Sequence, residues 1–274
     1  MIHVMPNQTI QLTADQIDFF HREGYLTIDE LTTQDDVAAI REIYDHLFET
    51  RAGRDEGRHF DLAGTDEDGR EETLPQILGP HRYAPQLEKT LLLANATAVA
   101  NQLLGPEATC QFAHAIFKPP RIGAATPWHQ DAAYWEPAVI HRKASIWVPL
   151  QPATPENGCM QFVPRSHQSD VMPHQSIRND PRIHGLELPA TEMHRVDGAV
   201  TCPLAPGGAT VHDGYTLHYT AANRTNVPRR AIILSASAGT TPRSKPRRFP
   251  WMESKQTARM VRQAKARDHA SPQD

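Results

Sequence analysis

Apolar positions near the start of the chain recur at helical spacing. Thr13 followed three residues on by Gln16 makes a capping-box pattern, Ile17, Phe19 and Phe20 supply an apolar face, and Gly24 marks a stop. Tyr25 to Ile28 reads as a short strand. Thr33 caps a second predicted helix in which Val37, Ile40, Ile43, Tyr44, Leu47 and Phe48 fall at steps of three and four, ending near Gly53. Residues 54–72 are charged, glycine-rich and without period, the pattern of a mobile surface loop. A third helix is predicted from about Leu87 to Leu104, closed by Gly105 and Pro106.

Beyond Gly105 the pattern shortens to strand length. Thr109 to Lys118, Trp128 to Tyr134, Lys143 to Leu150, Cys159 to Pro164, Ala209 to Asp213, Thr216 to Thr220 and Arg230 to Ala238 are β-compatible, and most are bounded by Pro, Gly or Asn. Within one of them Ala144, Ile146, Val148 and Leu150 alternate with Ser145, Trp147 and Pro149, so two unlike faces are presented. Many short strands after a helical start predict a mainly β fold with supporting α-helices, a jelly roll or cupin-like barrel. Residues 167–197 are long, polar and histidine-rich, as lids and binding loops are. The segment from Arg243 to Arg267 is basic and reads as a solvated terminal helix and tail, with disorder expected after about His269.

Composition narrows the class. A chain of 274 residues suits one domain, with N-terminal helices over about 13–105, the β core over about 106–240 and the basic segment over about 241–274. A formal net charge of -4 gives no general reason to expect nucleic acid as a partner. No apolar run reaches spanning length, and Met1 to Gln11 lacks the basic-then-apolar order of an export signal. Cys110, Cys159 and Cys202 are scattered, so neither a disulfide framework nor a cysteine-built zinc site is expected, and a cytoplasmic location fits.

The chemistry concentrates in Trp128-His129-Gln130-Asp131. Alternate residues of a strand share a face, so His129 and Asp131 offer an imidazole and a carboxylate together. Non-heme Fe(II) sites join such a pair to a second histidine and leave positions open. Both His212 and His218, on a late strand or hairpin, are available as that third ligand.

Several ordered motifs then agree. Lys118-Pro119-Pro120, the His129-x-Asp131 pair, Glu156-Asn157-Gly158-Cys159-Met160-Gln161-Phe162-Val163-Pro164-Arg165-Ser166-His167, and His218 with Asn223 and Arg229 together resemble the phytanoyl-CoA dioxygenase family of Fe(II)- and 2-oxoglutarate-dependent oxygenases, over roughly Tyr25 to Ala238. That family's distal histidine is followed five positions on by Asn and eleven on by Arg. From His218 those offsets reach Asn223 and Arg229, whereas from His212 they reach Leu217 and Asn223, so the resemblance selects His218. It implies a double-stranded β-helix, iron held by His129, Asp131 and His218, and the far carboxylate of the 2-oxoglutarate cosubstrate clamped by Arg229. A planar, permanently charged guanidinium suits that task.

Thr220, two residues after His218, would donate a hydroxyl to the same carboxylate. His114 and Trp147 are further candidate cosubstrate contacts, and Tyr134 and Trp135 candidate floors of a substrate pocket. Arg165 stands where the family often has glycine.

The activity implied is oxidation, by default hydroxylation, of a small-molecule metabolite with O2, giving succinate and CO2. Asp131 disfavours a halogenase, in which a small residue replaces the carboxylate. Two rivals are a non-catalytic cupin-like binding module, which would have lost the ligands or Arg229, and a zinc hydrolase on the same two histidines and carboxylate, which would have no use for Arg229.

Overall fold

The computed structural model describes residues 10–245 and 247–270. Its N-terminal layer is helical: α1 (Ala14–Glu23), α2 (Gln34–Glu49) and α3 (Leu91–Leu104). Thr13 accepts from the Gln16 amide while the Gln16 side chain bonds back to the Thr13 amide, and Gly24 closes α1 at φ 84, a conformation that costs glycine nothing. Thr33 caps α2 and Thr90 caps α3 through their hydroxyls. The third helix therefore starts four residues later than its periodicity suggests, because a 3-10 turn over Pro85–Lys89 precedes the cap.

The strands are β1 (Tyr25–Ile28), β2 (His59–Asp61), β3 (Pro75–Leu78), β4 (Thr109–Lys118), β5 (Thr126–His129), β6 (Val139–Pro149), β7 (Met160–Phe162), β8 (Gln175–Ser176), β9 (Leu186–Glu187), β10 (Val200–Cys202), β11 (Ala209–Asp213), β12 (His218–Thr220) and β13 (Arg229–Pro242). A seven-stranded antiparallel sheet in the order β1-β11-β6-β13-β4-β3-β2 faces a four-stranded one in the order β10-β7-β12-β5. This is the jelly-roll architecture the strand pattern predicts. The alternation along β6 separates its two faces: Ala144, Ile146 and Val148 pack with Val37, Ile40, Leu92 and Val99 of the helices, whereas Trp147 turns inward to a cluster with Tyr25, Met160, Phe162 and Ile233 between the sheets.

Three segments depart from the sequence reading. The strand expected to run to Tyr134 ends at His129, since the Ala132 amide bonds Gly214 O and Asp131–Tyr134 coil into a 3-10 turn. Residues 54–72 are not a mobile loop. They hold the edge strand β2, the fully buried Phe60, and Asp61, whose carboxylate accepts from the amides of Ala63, Thr73 and Leu74. Their charge is internal, with Arg54 bound to Asp66 and Asp68, and His59 and Arg51 to Glu72. Residues 167–197, expected as a lid or binding loop, contain the β8–β9 hairpin, whose β9 packs beside β5, and their His184 lines the cavity described below.

The basic C-terminal segment is not solvated either. It forms α4 (Pro250–Glu253) and α5 (Ala258–Ala270), which strap back over the body. Lys255 is buried and its Nζ donates to Ser176 Oγ and to the carbonyls of Ile183, His184 and Gly185; Arg259 donates to Gly57 O and stacks on Phe60; Arg262 binds Asp66. The disorder expected after His269 falls, from residue 271 on, outside the described residues, as do residues 1–9 of the N-terminal stretch.

Candidate active site

β5 and β12 pair antiparallel with His129 directly opposite His218. Directly opposed residues point to one face of a sheet, and the two imidazoles meet with centroids 4.1 Å apart. Gln130 keeps extended dihedrals before the chain coils, so Asp131 still projects to the side of His129 although it opens a 3-10 turn. Asp131 Oδ1 lies 3.8 Å from His129 Nε2 and 3.5 Å from His218 Nε2, and one donor atom from each of the three residues lies within 4.8 Å of the others. His129 Nδ1 donates to Pro127 O at 2.7 Å and His218 Nδ1 to Thr216 O at 2.9 Å. Each Nδ1 thus carries the proton, and each Nε2 turns a lone pair to the common point.

The junction between the ligand-type residues is braced. Gln130 is fully buried, its amide side chain spanning Tyr215 O and the Met172 amide, while its own backbone N–H donates to His174 Nε2.

The second oxygen of Asp131 is also engaged. Ser145 Oγ donates to Oδ2 at 2.6 Å, and His212 Nε2 stands 3.3 Å from the same atom. His212 thus sits beside the carboxylate oxygen turned away from the shared point. Burial opposes the charge on Asp131, yet the imidazoles of His218, His212 and His129 outweigh it and hold the carboxyl well below the usual range. Burial pushes His129 and His218 down, towards the neutral form that can ligate.

The same cavity is lined by Arg229, 1 % exposed. Its Nη1 reaches Ile116 O at a long 3.4 Å, its guanidinium carbon stands 5.6 Å from the Trp147 ring centroid, and its buried Nε has no partner. No carboxylate of a described residue pairs with it. Burial lowers it to about 10. Thr220 also lines the cavity, its hydroxyl 3.0 Å from that of Thr126. Arg230 turns the other way, to Asp45 and the Phe117 ring.

Lys118, opposite Arg229 in the β4–β13 register, is fully buried and donates to Thr220 O and Ala221 O. Burial and the Arg229 charge push its ammonium well below the ordinary lysine value. Gly158 of the Asn157-Gly158 turn fits here because, at φ +91, a Cβ would stand 2.3 Å from Ala221 O. Asn223 donates to three carbonyls, those of Lys118, Pro119 and Val227, and so fixes the loop between β12 and β13.

His114 lines the middle of the cavity with its Nδ1 buried and unpartnered, and burial depresses its basicity. Tyr134 and Trp135 line it too, though both also pack on the scaffold. The Tyr134 hydroxyl accepts from the Leu186 amide, and Trp135 lies under Lys143. The whole cavity measures about 430 Å³.

Sequence reasoning missed Ser145, His184, Gln76 and the rim arginines Arg58 and Arg82, all of which line it. Only Ser145 had left a signal, as a polar residue on the non-helical face of an otherwise apolar strand. Arg165, in the position where glycine is usual, sits at φ 65 and bonds Glu23.

The residues suit both groups that the fold implies. Two neutral imidazoles and one carboxylate on one side of a point form a donor set for a divalent first-row metal with open positions. A buried guanidinium with an orphaned N–H and no described carboxylate partner, lining the same space, suits a dicarboxylate. Opposed jelly-roll sheets carrying this set define an Fe(II)- and 2-oxoglutarate-dependent oxygenase.

Residues 20–231 match the family model described as Phytanoyl-CoA dioxygenase (PhyH), and the chain belongs to that family. It is similar to Phytanoyl-CoA dioxygenase domain-containing protein 1 of Danio rerio, 25% identical over 255 residues covering 80% of this chain and 87% of the relative. Ectoine dioxygenase of Sphingopyxis alaskensis is 24% identical over 258 residues, covering 90% and 82%. Among solved structures, EvdO2 from Micromonospora carbonacea var. aurantiaca complexed with 2-oxoglutarate is 35% identical, covers 89% of this chain and 98% of that one, and superposes with a TM-score of 0.75. No helix among the described residues is long and apolar enough to cross a membrane.

Proposed function

We propose that His129, Asp131 and His218 hold Fe(II), that Arg229 binds the distal carboxylate of 2-oxoglutarate, and that the enzyme hydroxylates a small-molecule metabolite. One observation carries the reading: Arg229 is a fully buried cation with an unpartnered N–H, facing the space that the His-Asp-His set also faces. A buried charge of this kind is costly unless a ligand completes it.

When bound, the metal and cosubstrate supply oxidation by O2 coupled to decarboxylation of 2-oxoglutarate to succinate and CO2. The chain's own residues position these groups. Pro127 O and Thr216 O fix the histidine tautomers, and Ser145 leaves one oxygen of Asp131 free for the metal. Thr220 offers a hydroxyl beside Arg229, Trp147 supports the guanidinium face, and His114 borders the cosubstrate. Gln130 braces the segment between His129 and Asp131, and the hairpin around His184 helps to close the space from water. The differing names of the relatives leave the metabolite itself open. A single-domain chain in a reducing cytoplasm suits the free Cys110, Cys159 and Cys202 and the need to keep iron ferrous.

The test is anaerobic Fe(II) titration with and without 2-oxoglutarate, following the visible charge-transfer band of the chelate. The wild type should develop the band, and Arg229→Ala should need roughly 10- to 100-fold more 2-oxoglutarate, as expected for loss of a charge-assisted pair. Bound iron with no band at millimolar 2-oxoglutarate would refute the assignment.

A further inference from the structure

The cavity has more cations than the cosubstrate uses. Among the described residues lining it, Asp131 is the sole carboxylate, against the guanidiniums of Arg58, Arg82 and Arg229. On the function proposed above, a divalent cation, Asp131, a dicarboxylate and Arg229 cancel, and the inner end is neutral. Arg58 and Arg82 remain.

They are anchored at a different level of the fold. Arg229 is level with Lys118 on β4, whereas the Leu78 amide bonds Arg58 O opposite His114, and His81, next to Arg82, donates from Nδ1 to Phe112 O. Four to six residues of strand separate the two backbone levels, roughly 13–20 Å at the usual rise, so these arginines are rooted well away from Arg229.

The protein neutralises this end only in part. Arg54 and Arg262 nearby are taken by Asp66, Asp68 and Glu72. Arg82 is exposed and forms no ion pair with a described residue, and Arg58 has one long, half-exposed pair, its Nε 3.6 Å from Glu56, whose same oxygen also accepts the Tyr83 hydroxyl. In a chain of net charge -4, two cavity-lining guanidiniums that share one solvent-exposed carboxylate leave a net positive rim that concentrates anions.

We infer that the substrate carries an oxyanion, a carboxylate or phosphate-type group, which Arg58 and Arg82 clamp at the cavity mouth while its apolar part lies over Leu62, Leu78 and Tyr134 and presents a carbon to the metal. Forked donors on a planar group suit bidentate recognition of either oxyanion.

The test uses protein loaded with Mn(II) and saturating 2-oxoglutarate, titrated calorimetrically with phenyl phosphate, benzoate and neutral benzyl alcohol. At least one anion should bind where benzyl alcohol does not, weaken as salt rises, and weaken at least roughly tenfold in the Arg58→Gln, Arg82→Gln double variant. The stronger of the two anions identifies the group. The variant's 2-oxoglutarate affinity should be unchanged, which also shows that it is folded. Anions that bind no better than benzyl alcohol, or bind the double variant as tightly as wild type, overturn the inference. Absence of 2-oxoglutarate heat in the wild type, before any probe is added, instead brings down the functional reading on which it rests.

Discussion

The hydroxyl of Ser145 settles which oxygen of Asp131 is available to a metal, since it binds Oδ2 and leaves Oδ1 towards His129 and His218. Ser145→Ala should therefore lower metal affinity about 10- to 100-fold, measured by Co(II) titration, while Ser145→Thr retains most of it. His174 gives a pH signature. Buried, accepting from the Gln130 amide and donating to Met172 O, it is pushed down to about 4 from an ordinary value of 6.5. Between those values the unfolded chain binds a proton that the native state refuses, so stability falls as pH drops from 6.5 to 4, by roughly 3 kcal/mol from this residue. His174→Gln should flatten that part of the thermal-melting profile relative to wild type.

Sequence could point to His129 and Asp131 because two residues of spacing survive in the local geometry. It could not find His174, Ser145 or the rim arginines, whose roles depend on strands and loops brought together from far along the chain.

At the scale of elements, regular periodicity was readable and internal neutralisation was not. The limits of α1, β1, β4 and β11 follow the apolar pattern and its capping residues. Residues 54–72 and the C-terminal segment looked solvated because charge in a sequence carries no sign of whether it is paired. In the fold the two segments pair with each other, Arg262 to Asp66 and Arg259 to Gly57 O, and Lys255 ties down the chain on either side of His184. A chain truncated after Arg248 should keep the protection of β4, β6 and β13 in hydrogen exchange and lose about tenfold or more over residues 57–66 and 176–187. Unchanged protection there would show that the strap is dispensable.

Across the whole molecule, ligation and folding are linked. A metal and cosubstrate that bind only the native state add about 2.7 kcal/mol at a hundredfold excess over Kd. Mn(II) with 2-oxoglutarate should therefore raise Tm by about 5–10 °C over the EDTA-treated protein, and Arg229→Ala should lose the cosubstrate's share.

The pairing of His129 opposite His218 has a further effect on how the molecule assembles. β5 and β12 are four and three residues long, and their ladder is irregular between His218 and Thr220, so few hydrogen bonds define their alignment. A slip of one residue would turn one imidazole to the opposite face. The regular pairing of β12 with β7 fixes one side of that strand, and an ion held by both rings would favour the β5 alignment that brings them together. In a newly made chain, the metal would thus act as the proofreader of the smaller sheet before it takes part in any chemistry.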